Sequence, residues 1–440
     1  MSDDNDNQRI RKPLGLKRSV DAGEVKQTFS HGRTNKVVVE VKRRRVLGKP
    51  GEAAPPPPPA PEPVVEAPRP APPPPAPKPA RPAPASETPQ ERVKRLQLEA
   101  EEERLRMAEE AGAQAVRLIH KPVAPTALLT EAGIENALRV LLALGGSTNA
   151  LVHLAAIAGR AGVTIDYHRL NELSDTTPVL VDLKPTGEGY MEDFHAAGGM
   201  QALLWELRDL LNLDTPDLDG VTLRDRIGDG SHFVNRKIIR ARENPISPEG
   251  GLIALRGSLA PEGAILKRSA ATPSLFETEA RCIVFDGLED LANRIDDPDL
   301  DVTASDILVL KGAGPRSAAG MPEAGYLPIP KKLARAGVKD MVRISDCRMS
   351  GTAFGTIVLH VAPEAAVGGP LALARSGDRI RLSVKDRRLD LLVDEAEMAA
   401  RRAAWTPAPA PARGWDRLVH EQVTQAPLGA DLAFLRPPGC

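Results

Sequence analysis

The sequence predicts an α/β protein in which a disordered, proline-rich N-terminal third precedes a mixed α/β region. Of its 42 prolines, 18 lie between Pro55 and Pro89. Residues 1–118 contain a single aromatic side chain, Phe29, and no cysteine. Such a segment buries too little apolar surface to offset the entropy lost on ordering. About 320 residues with helical and then strand-like patterns follow, which is enough for one large domain or two medium ones.

The predicted disordered third has three parts. Residues 1–50 are polar and end in four basic residues at 42–45, a cluster typical of either an RNA phosphate contact or a solvated tail. The run at 36–41 (KVVVEV) favours a strand, but no neighbouring run is evident for it to pair with. Residues 51–90 are predicted to form an extended Pro/Ala linker. In residues 91–118, Glu and Arg interleave at helical spacing, which predicts a charged, solvated helix.

Residues 124–240 are predicted to be largely helical. Two amphipathic helices are expected within 131–162, separated by the break Gly145-Gly146. That break has two interpretations: it directs backbone N–H groups at an anion, or Ser147 or Thr148 simply caps the second helix. A buried strand is predicted at 179–183 and another amphipathic helix at 198–211.

Residues 245–400 have the pattern of a β-rich domain, and a tail is expected at 401–440. Short apolar runs are separated by Gly, Pro and Asp, which favours a barrel or a sandwich. The predicted strands lie at 251–255, 265–267, 281–285, 307–310, 342–344, 357–360 and 380–384, with helices at 287–295 and 329–336.

Several protein classes are disfavoured. No run of 18 apolar residues predicts a membrane helix, and the acidic, polar N-terminus lacks a secretory signal. The cysteines Cys282, Cys347 and Cys440 form no CxxC pair, so neither a disulfide framework nor a local metal motif is expected. A reducing, cytoplasmic location fits this usage. No P-loop and no GxSxG motif occur in the sequence.

Two residues in the region 311–370 are candidates for a site. Glu323 follows a Gly-rich stretch (KGAGPRSAAGMPEAG), where it is either a ligand for Mg²⁺ or an ordinary exposed turn residue. Ser350 lies in SDCRMSGT, and no histidine that would activate it as a nucleophile lies nearby before His360. It would act instead as a base if a metal or cluster lowered its pKa. Cys347 is expected to be a packed core residue.

Residues 131–440 closely resemble the C-terminal part of the dihydroxy-acid and sugar-acid (aldonate) dehydratase family. The resemblance is carried by LRVLLALGGSTNALVHLAAIAGRAG, GMPEAGYLPIPKKLA and SDCRMSGTAFGTIVLHVAPEAAVGGPLAL. It implies a hydro-lyase that converts a 2,3-dihydroxy acid to a 2-keto acid with an iron–sulfur cluster and Mg²⁺, in an oligomer. It also implies that residues 124–240 are a remnant of the family's N-terminal α/β domain and that residues 245–400 are its swivelling, barrel-like C-terminal domain. It further implies Ser350 as the base and Glu323 as a Mg²⁺ ligand. The ending LVHEQV is similar to the sugar-acid branch and implies that His420 contacts the substrate.

The resemblance also implies what this chain lacks. In that family, an N-terminal portion carries the cluster cysteines, the other Mg²⁺ carboxylates and a modified lysine. No counterpart of that portion is expected here. Cys282 and Cys440 do not stand in cluster motifs. The chain alone is therefore predicted to be inactive.

Residues 1–118 resemble a different protein, the N-terminal region of bacterial translation initiation factor two. The matching string is RKPLGLKRSVDAGEVKQTFSHGRTNKVVVEVKRRR. This resemblance implies a ribosome or RNA contact through the basic segment, without the GTPase domain of that factor. The two resemblances meet near residues 118–123, which predicts a chain composed of two unrelated parts.

Overall fold

The computed structural model describes residues 24–28, 34–38, 89–323, 327–349 and 354–438. The chain divides into two compact units, Met1–Thr88 and Pro89–Cys440. In the first unit, strand β1 (Glu24–Thr28) pairs antiparallel with β2 (Thr34–Val38). The prediction that the run at 36–41 has no neighbour is therefore wrong, because residues 24–28 supply one. The disorder predicted for the rest of residues 1–88 concerns positions outside the described residues, while residues 89–118 lie in a helix.

The second unit begins with helices and continues into strands. Its helices are α1 (Pro89–His120), α2 (Pro125–Leu128), α3 (Glu131–Ala143), α4 (Thr148–Arg160), α5 (Tyr167–Thr176), α6 (Met191–Ala196), α7 (Gly199–Leu207), α8 (Leu223–Ile227), α9 (Leu288–Arg294), α10 (Lys331–Arg335), α11 (Pro370–Leu373), α12 (Glu395–Ala404) and α13 (Gly414–Gln422). Its strands are β3 (Ile253–Leu255), β4 (Gly263–Leu266), β5 (Glu277–Asp286), β6 (Ile307–Lys311), β7 (Arg343–Ser345), β8 (Ile357–Ala362), β9 (Arg379–Ser383) and β10 (Arg388–Leu391). Within the described residues, no helix is long and apolar enough to cross a membrane.

The eight strands form one nearly closed, barrel-like sheet in the order β10-β9-β5-β6-β7-β8-β4-β3. Strands β5 to β8 run parallel to one another, and the flanking pairs are antiparallel. The two ends of the sheet meet where Arg256 bridges Arg388, and Leu389 N donates to Arg256 O at 3.0 Å. Of the two architectures that the strand pattern favoured, the barrel is the one observed.

Successive side chains along the strands point alternately into two cores. On β5, Cys282 and Val284 face an inner core, while Ile283 and Phe285 face an outer core against α9 and α10. This is the period of two expected of a strand. Each fully buried leucine or phenylalanine contributes roughly 1.5–3 kcal/mol relative to an exposed one.

A second helical layer holds α4 against the barrel. Leu142, Leu151 and Leu170, from α3, α4 and α5, pack with Ala254 of β3 and Ile265 of β4. The start of α4 is fixed by the Gly145-Gly146 break. Gly145 has φ +58°, and a Cβ on Gly146 would lie 2.4 Å from Leu141 Cδ1, so both positions require glycine. The break therefore sets where α4 begins relative to the barrel.

Most predicted elements of the second unit are present. The expected helix at 91–118 is α1, and the two helices around the Gly break are α3 and α4. The segment at 179–183 is buried as expected, but it forms isolated bridges at Val179, Val181 and Leu183 in place of a regular strand. Strand β10 was not predicted.

Candidate functional site

Three loops converge at the carboxyl ends of the parallel strands β6, β7 and β8. This edge is where open parallel sheets place their ligand sites. Asp346, directly after β7, accepts hydrogen bonds from the backbone N–H of Gly312 (3.2 Å) and Ala313 (3.0 Å) after β6. It also accepts one from Ala365 N (3.0 Å) after β8. One carboxylate thus ties the three loops together, and its burial raises its pKa.

A second buried carboxylate, Glu364, holds the loop that follows β6. Its oxygens accept from Arg316 N at 2.9 and 3.0 Å and from Gln425 Nε2 at 2.8 Å. Burial raises the pKa of Glu364 to about 7. Gly314 makes this approach possible, since a Cβ there would lie 2.8 Å from Glu364 Cβ. Glu364 therefore links the β6 loop to the C-terminal segment at Gln425.

The β6 loop presents Glu323 to the start of α4. Asn149 Nδ2 donates to Glu323 Oε1 at 2.8 Å. Asn149 is 8% exposed, while Glu323 is exposed. Asn149 Oδ1 is a buried oxygen that accepts no hydrogen bond from any described residue. The amide that binds Glu323 through its nitrogen therefore keeps an unpartnered oxygen among the described residues.

This pair suits a hard divalent cation. Mg²⁺ takes oxygen ligands and is usually held by one or two carboxylates plus water or substrate oxygens. Among the described residues, no group of three His, Cys, Asp or Glu side chains is arranged to hold a metal ion. Glu323 and Asn149 each carry an oxygen of the kind that Mg²⁺ prefers.

The described cysteines do not suit an iron–sulfur cluster. Cys282 lies in the inner core of the barrel and Cys347 in the outer core, on opposite faces of the sheet. Burial raises the pKa of each thiol to about 12, and two thiols on opposite faces of one sheet cannot ligate the same cluster. The prediction that Cys347 is a packed core residue is confirmed. Cys440 lies outside the described residues.

The structure brings together only part of the predicted site. Ser350 lies outside the described residues. His420 lies in the last turn of α13, half-buried, and makes no hydrogen bond or ion pair with any described residue. The segment after His420 does reach the site, since Arg316 Nε donates to Val423 O at 2.9 Å. His360 is fully buried on β8, and burial lowers its pKa to about 3, so it stays neutral.

The interpretation of the Gly145-Gly146 break as part of a capping motif is confirmed. Ser147 is the N-cap of α4, and its Oγ accepts from Asn149 N at 3.2 Å. The same turn also directs the Asn149 side chain at Glu323, which the sequence reasoning missed. Asp346 and Glu364 were missed as well. A signal for both was present, because each is an acidic residue within two positions of the end of an apolar strand.

Family comparisons cover both units. The family model described as dihydroxy-acid/6-phosphogluconate dehydratase C-terminal matches residues 237–430. The corresponding N-terminal model matches residues 96–226. The resemblance thus begins well before residue 124 and covers the N-terminal domain more fully than the remnant expected at 124–240. The bacterial translation initiation factor IF-2 associated region matches residues 11–50.

Individual relatives agree with the two dehydratase models. An L-arabinonate dehydratase of Rhizobium leguminosarum is 42% identical over 337 residues, covering 76% of this chain and 58% of the relative. A 6-deoxy-6-sulfo-D-gluconate dehydratase of Pseudomonas putida is 45% identical, covering 75% of this chain and 58% of the relative. A dihydroxy-acid dehydratase of Syntrophobacter fumaroxidans is 38% identical, covering 75% of this chain and 59% of the relative.

The chain spans somewhat more than half the length of these relatives. The two domain models lie in the expected order along the second unit and enclose the site around Glu323. From residue 96 to residue 430, the chain belongs to the dihydroxy-acid/6-phosphogluconate dehydratase family.

Proposed function

We propose that this chain carries the C-terminal part of a hydro-lyase site that takes a 2,3-dihydroxy sugar acid to a 2-keto acid and water. The observation that carries the proposal is the contact between Asn149 and Glu323 at the carboxyl ends of the parallel strands. The two sugar-acid dehydratases among the relatives support a sugar acid over a branched-chain dihydroxy acid, since they are 42% and 45% identical, against 37% to 41% for the dihydroxy-acid dehydratases.

The proposed roles follow the site geometry and the family resemblance. Glu323 and Asn149 would hold Mg²⁺, which polarises a substrate oxygen when bound. Asp346 and Glu364 hold the loops that present Glu323. Ser350 is proposed as the base that takes the C2 proton, and His420 as a substrate contact. Both roles come from the family resemblance.

We propose further that the chain alone does not complete the reaction. The two described cysteines are buried, protonated thiols on opposite faces of the sheet, so we derive no step through an iron–sulfur cluster. A partner chain that supplies cluster ligands would complete the site. The cytoplasmic location and the oligomer expected from the sequence remain predictions.

The test is an assay of the purified full-length chain with L-arabinonate and Mg²⁺, in which the 2-keto acid is trapped and quantified. We expect no product and no visible iron–sulfur absorption from the chain alone. Product formation by the chain alone would show that it is complete. A brown chromophore that appears only with a second chain, together with product, would support the shared site.

A second candidate function concerns the first unit. The match of residues 11–50 to the IF-2 associated region and the basic residues at 42–45 favour binding to the ribosome or its RNA. Co-sedimentation of the full chain with ribosomes, compared with a chain lacking residues 1–50, tests this. Salt-sensitive sedimentation that needs residues 1–50 would support it, and equal behaviour of both chains would contradict it.

A further inference from the structure

A small cleft opens beside the start of α4, next to the Asn149–Glu323 contact. Lys267, directly after β4, forms one wall. The cleft has a volume of about 20 Å³. Its other lining residues are Ser147, Thr148, Ala270, Gly355, Ile357 and Leu359.

Lys267 lines this cleft as a cation that has no counter-ion among the described residues. Among the described residues, none donates to, accepts from or forms an ion pair with its amine. The neighbouring Arg268 contrasts with it, because its guanidinium pairs with Glu249 at 2.6 Å and donates to Gly250 O at 2.9 and 3.1 Å. Burial lowers the pKa of Lys267 to about 8, which leaves most of the amine protonated at neutral pH. Charged side chains that are largely buried are normally paired.

We propose that Lys267, with the hydroxyls of Ser147 and Thr148, binds the carboxylate group of a small hydroxy acid. An ammonium supplies a charge-assisted donor for a carboxylate oxygen, and the two hydroxyls supply neutral donors. The cleft admits one or two water-sized groups. That volume suits the two oxygens of a carboxylate and leaves the rest of the ligand outside.

The position of the cleft connects this carboxylate to the proposed reaction. Thr148 lines the cleft, and the next residue, Asn149, holds Glu323. A hydroxy acid bound by its carboxylate at Lys267 therefore extends its adjacent hydroxyl-bearing carbons past the start of α4 toward Glu323. The inference rests on the proposed function, to which it adds the group that anchors the substrate.

The first test uses the unmodified full-length chain. Lysines are acetylated at pH 7.5 with a limiting amine-reactive reagent, and the rate at each site is read by peptide mass spectrometry. We expect saturating L-arabinonate to slow modification of Lys267 at least fivefold. L-Arabinitol, which has the same carbon chain without a carboxylate, should have no effect. The exposed Lys385 serves as the internal reference. Equal protection by both compounds, or by neither, would overturn the inference.

The second test measures binding of L-arabinonate by titration calorimetry, with no turnover required. Lys267→Met should weaken binding about tenfold or more, Lys267→Arg should retain most of it, and Lys385→Met should match the wild type. Thermal unfolding of each variant checks that it is folded. Unchanged binding to Lys267→Met would overturn the inference and leave the proposed dehydration standing. Lys267-dependent binding without turnover is the result expected of the chain alone, whereas absent turnover when a second chain restores the brown chromophore would contradict only the proposed function.

Discussion

The side-chain amide of Asn149 donates a 2.8 Å hydrogen bond to the carboxylate of Glu323, which lies 174 positions later in the chain. This contact joins the capped start of a helix in the region matched by the N-terminal domain model to a loop of the barrel. Its two partners face each other because the helical layer packs on β3 and β4.

Replacing Asn149 by alanine should weaken divalent cation binding at Glu323. The carboxylate would lose the donor that orients it, and the buried Oδ1 would be lost as a ligand. Loss of such a supporting group typically costs about tenfold or more in metal affinity. Titration of the full chain with Mn²⁺, followed by electron paramagnetic resonance, measures this. Asn293→Ala, at an exposed position of α9, is the matched control, and equal affinity in both variants would contradict the role of Asn149.

Glu364 should make folding stability depend on pH. Its pKa is raised from 4.5 to about 7 in the folded chain, so between these values the folded state binds more protons than the unfolded state. Its contribution is therefore fully present below pH 4.5 and is lost as the pH rises through 7. Urea unfolding from pH 5 to 8 should show that the difference in free energy of unfolding, wild type minus Glu364→Gln, falls with rising pH. A constant or rising difference would mean that Glu364 is ionised in the fold.

Asp346→Asn should destabilise the second unit by about 2–3 kcal/mol. The carboxylate accepts three backbone N–H bonds from two loops, two at Oδ2 and one at Oδ1, and the amide nitrogen that replaces one of these oxygens cannot accept. Chemical unfolding compared with Asp299→Asn, at an exposed position, measures the effect. If both variants unfold alike, Asp346 does not hold the loops together.

Gly314→Ala should cost about 1–3 kcal/mol of stability, since an added methyl group overpacks the site against Glu364. Gly112→Ala is the opposite case, because a Cβ there meets nothing within 4 Å and alanine is the better helix former. Thermal unfolding should therefore show a lower midpoint for the first variant and an equal or higher midpoint for the second. A stable Gly314→Ala chain would indicate that the β6 loop moves freely away from Glu364.

The thiols of Cys282 and Cys347 should react with iodoacetamide at pH 8 only when the chain unfolds. Both are buried, and burial raises the pKa of each to about 12, so the reactive thiolate is scarce. Mass spectrometry of peptides after timed alkylation, with and without urea, gives the two rates. Rapid alkylation of either thiol in the native chain would contradict the conclusion that this cysteine does not suit an iron–sulfur cluster.

Sequence periodicity predicted the helices on both sides of the Gly145-Gly146 break because their apolar stripes are strong local signals. Glu323 was a candidate from its Gly-rich context alone. Asn149 was not a candidate, because its partner Glu323 lies in a distant loop and only the packing of α4 brings the two side chains together. Lys267 was seen only as the end of a strand, because burial without a counter-ion is a property of the folded chain. Strand β10 was missed although its four residues, RLDL, alternate between polar and apolar, because a run of only about four residues is a weak signal by itself.

The bridge between Arg256 and Arg388 affects whether the edges of the barrel can pair with strands of other chains. An open sheet ends in two rows of unpaired backbone groups, which recruit strands from neighbouring molecules. Here β3 and β10 are joined by that bridge and by the hydrogen bonds beside it, so the barrel presents little edge to a second chain. We therefore expect the folded barrel to resist strand-mediated aggregation, and a break in this closure to promote it.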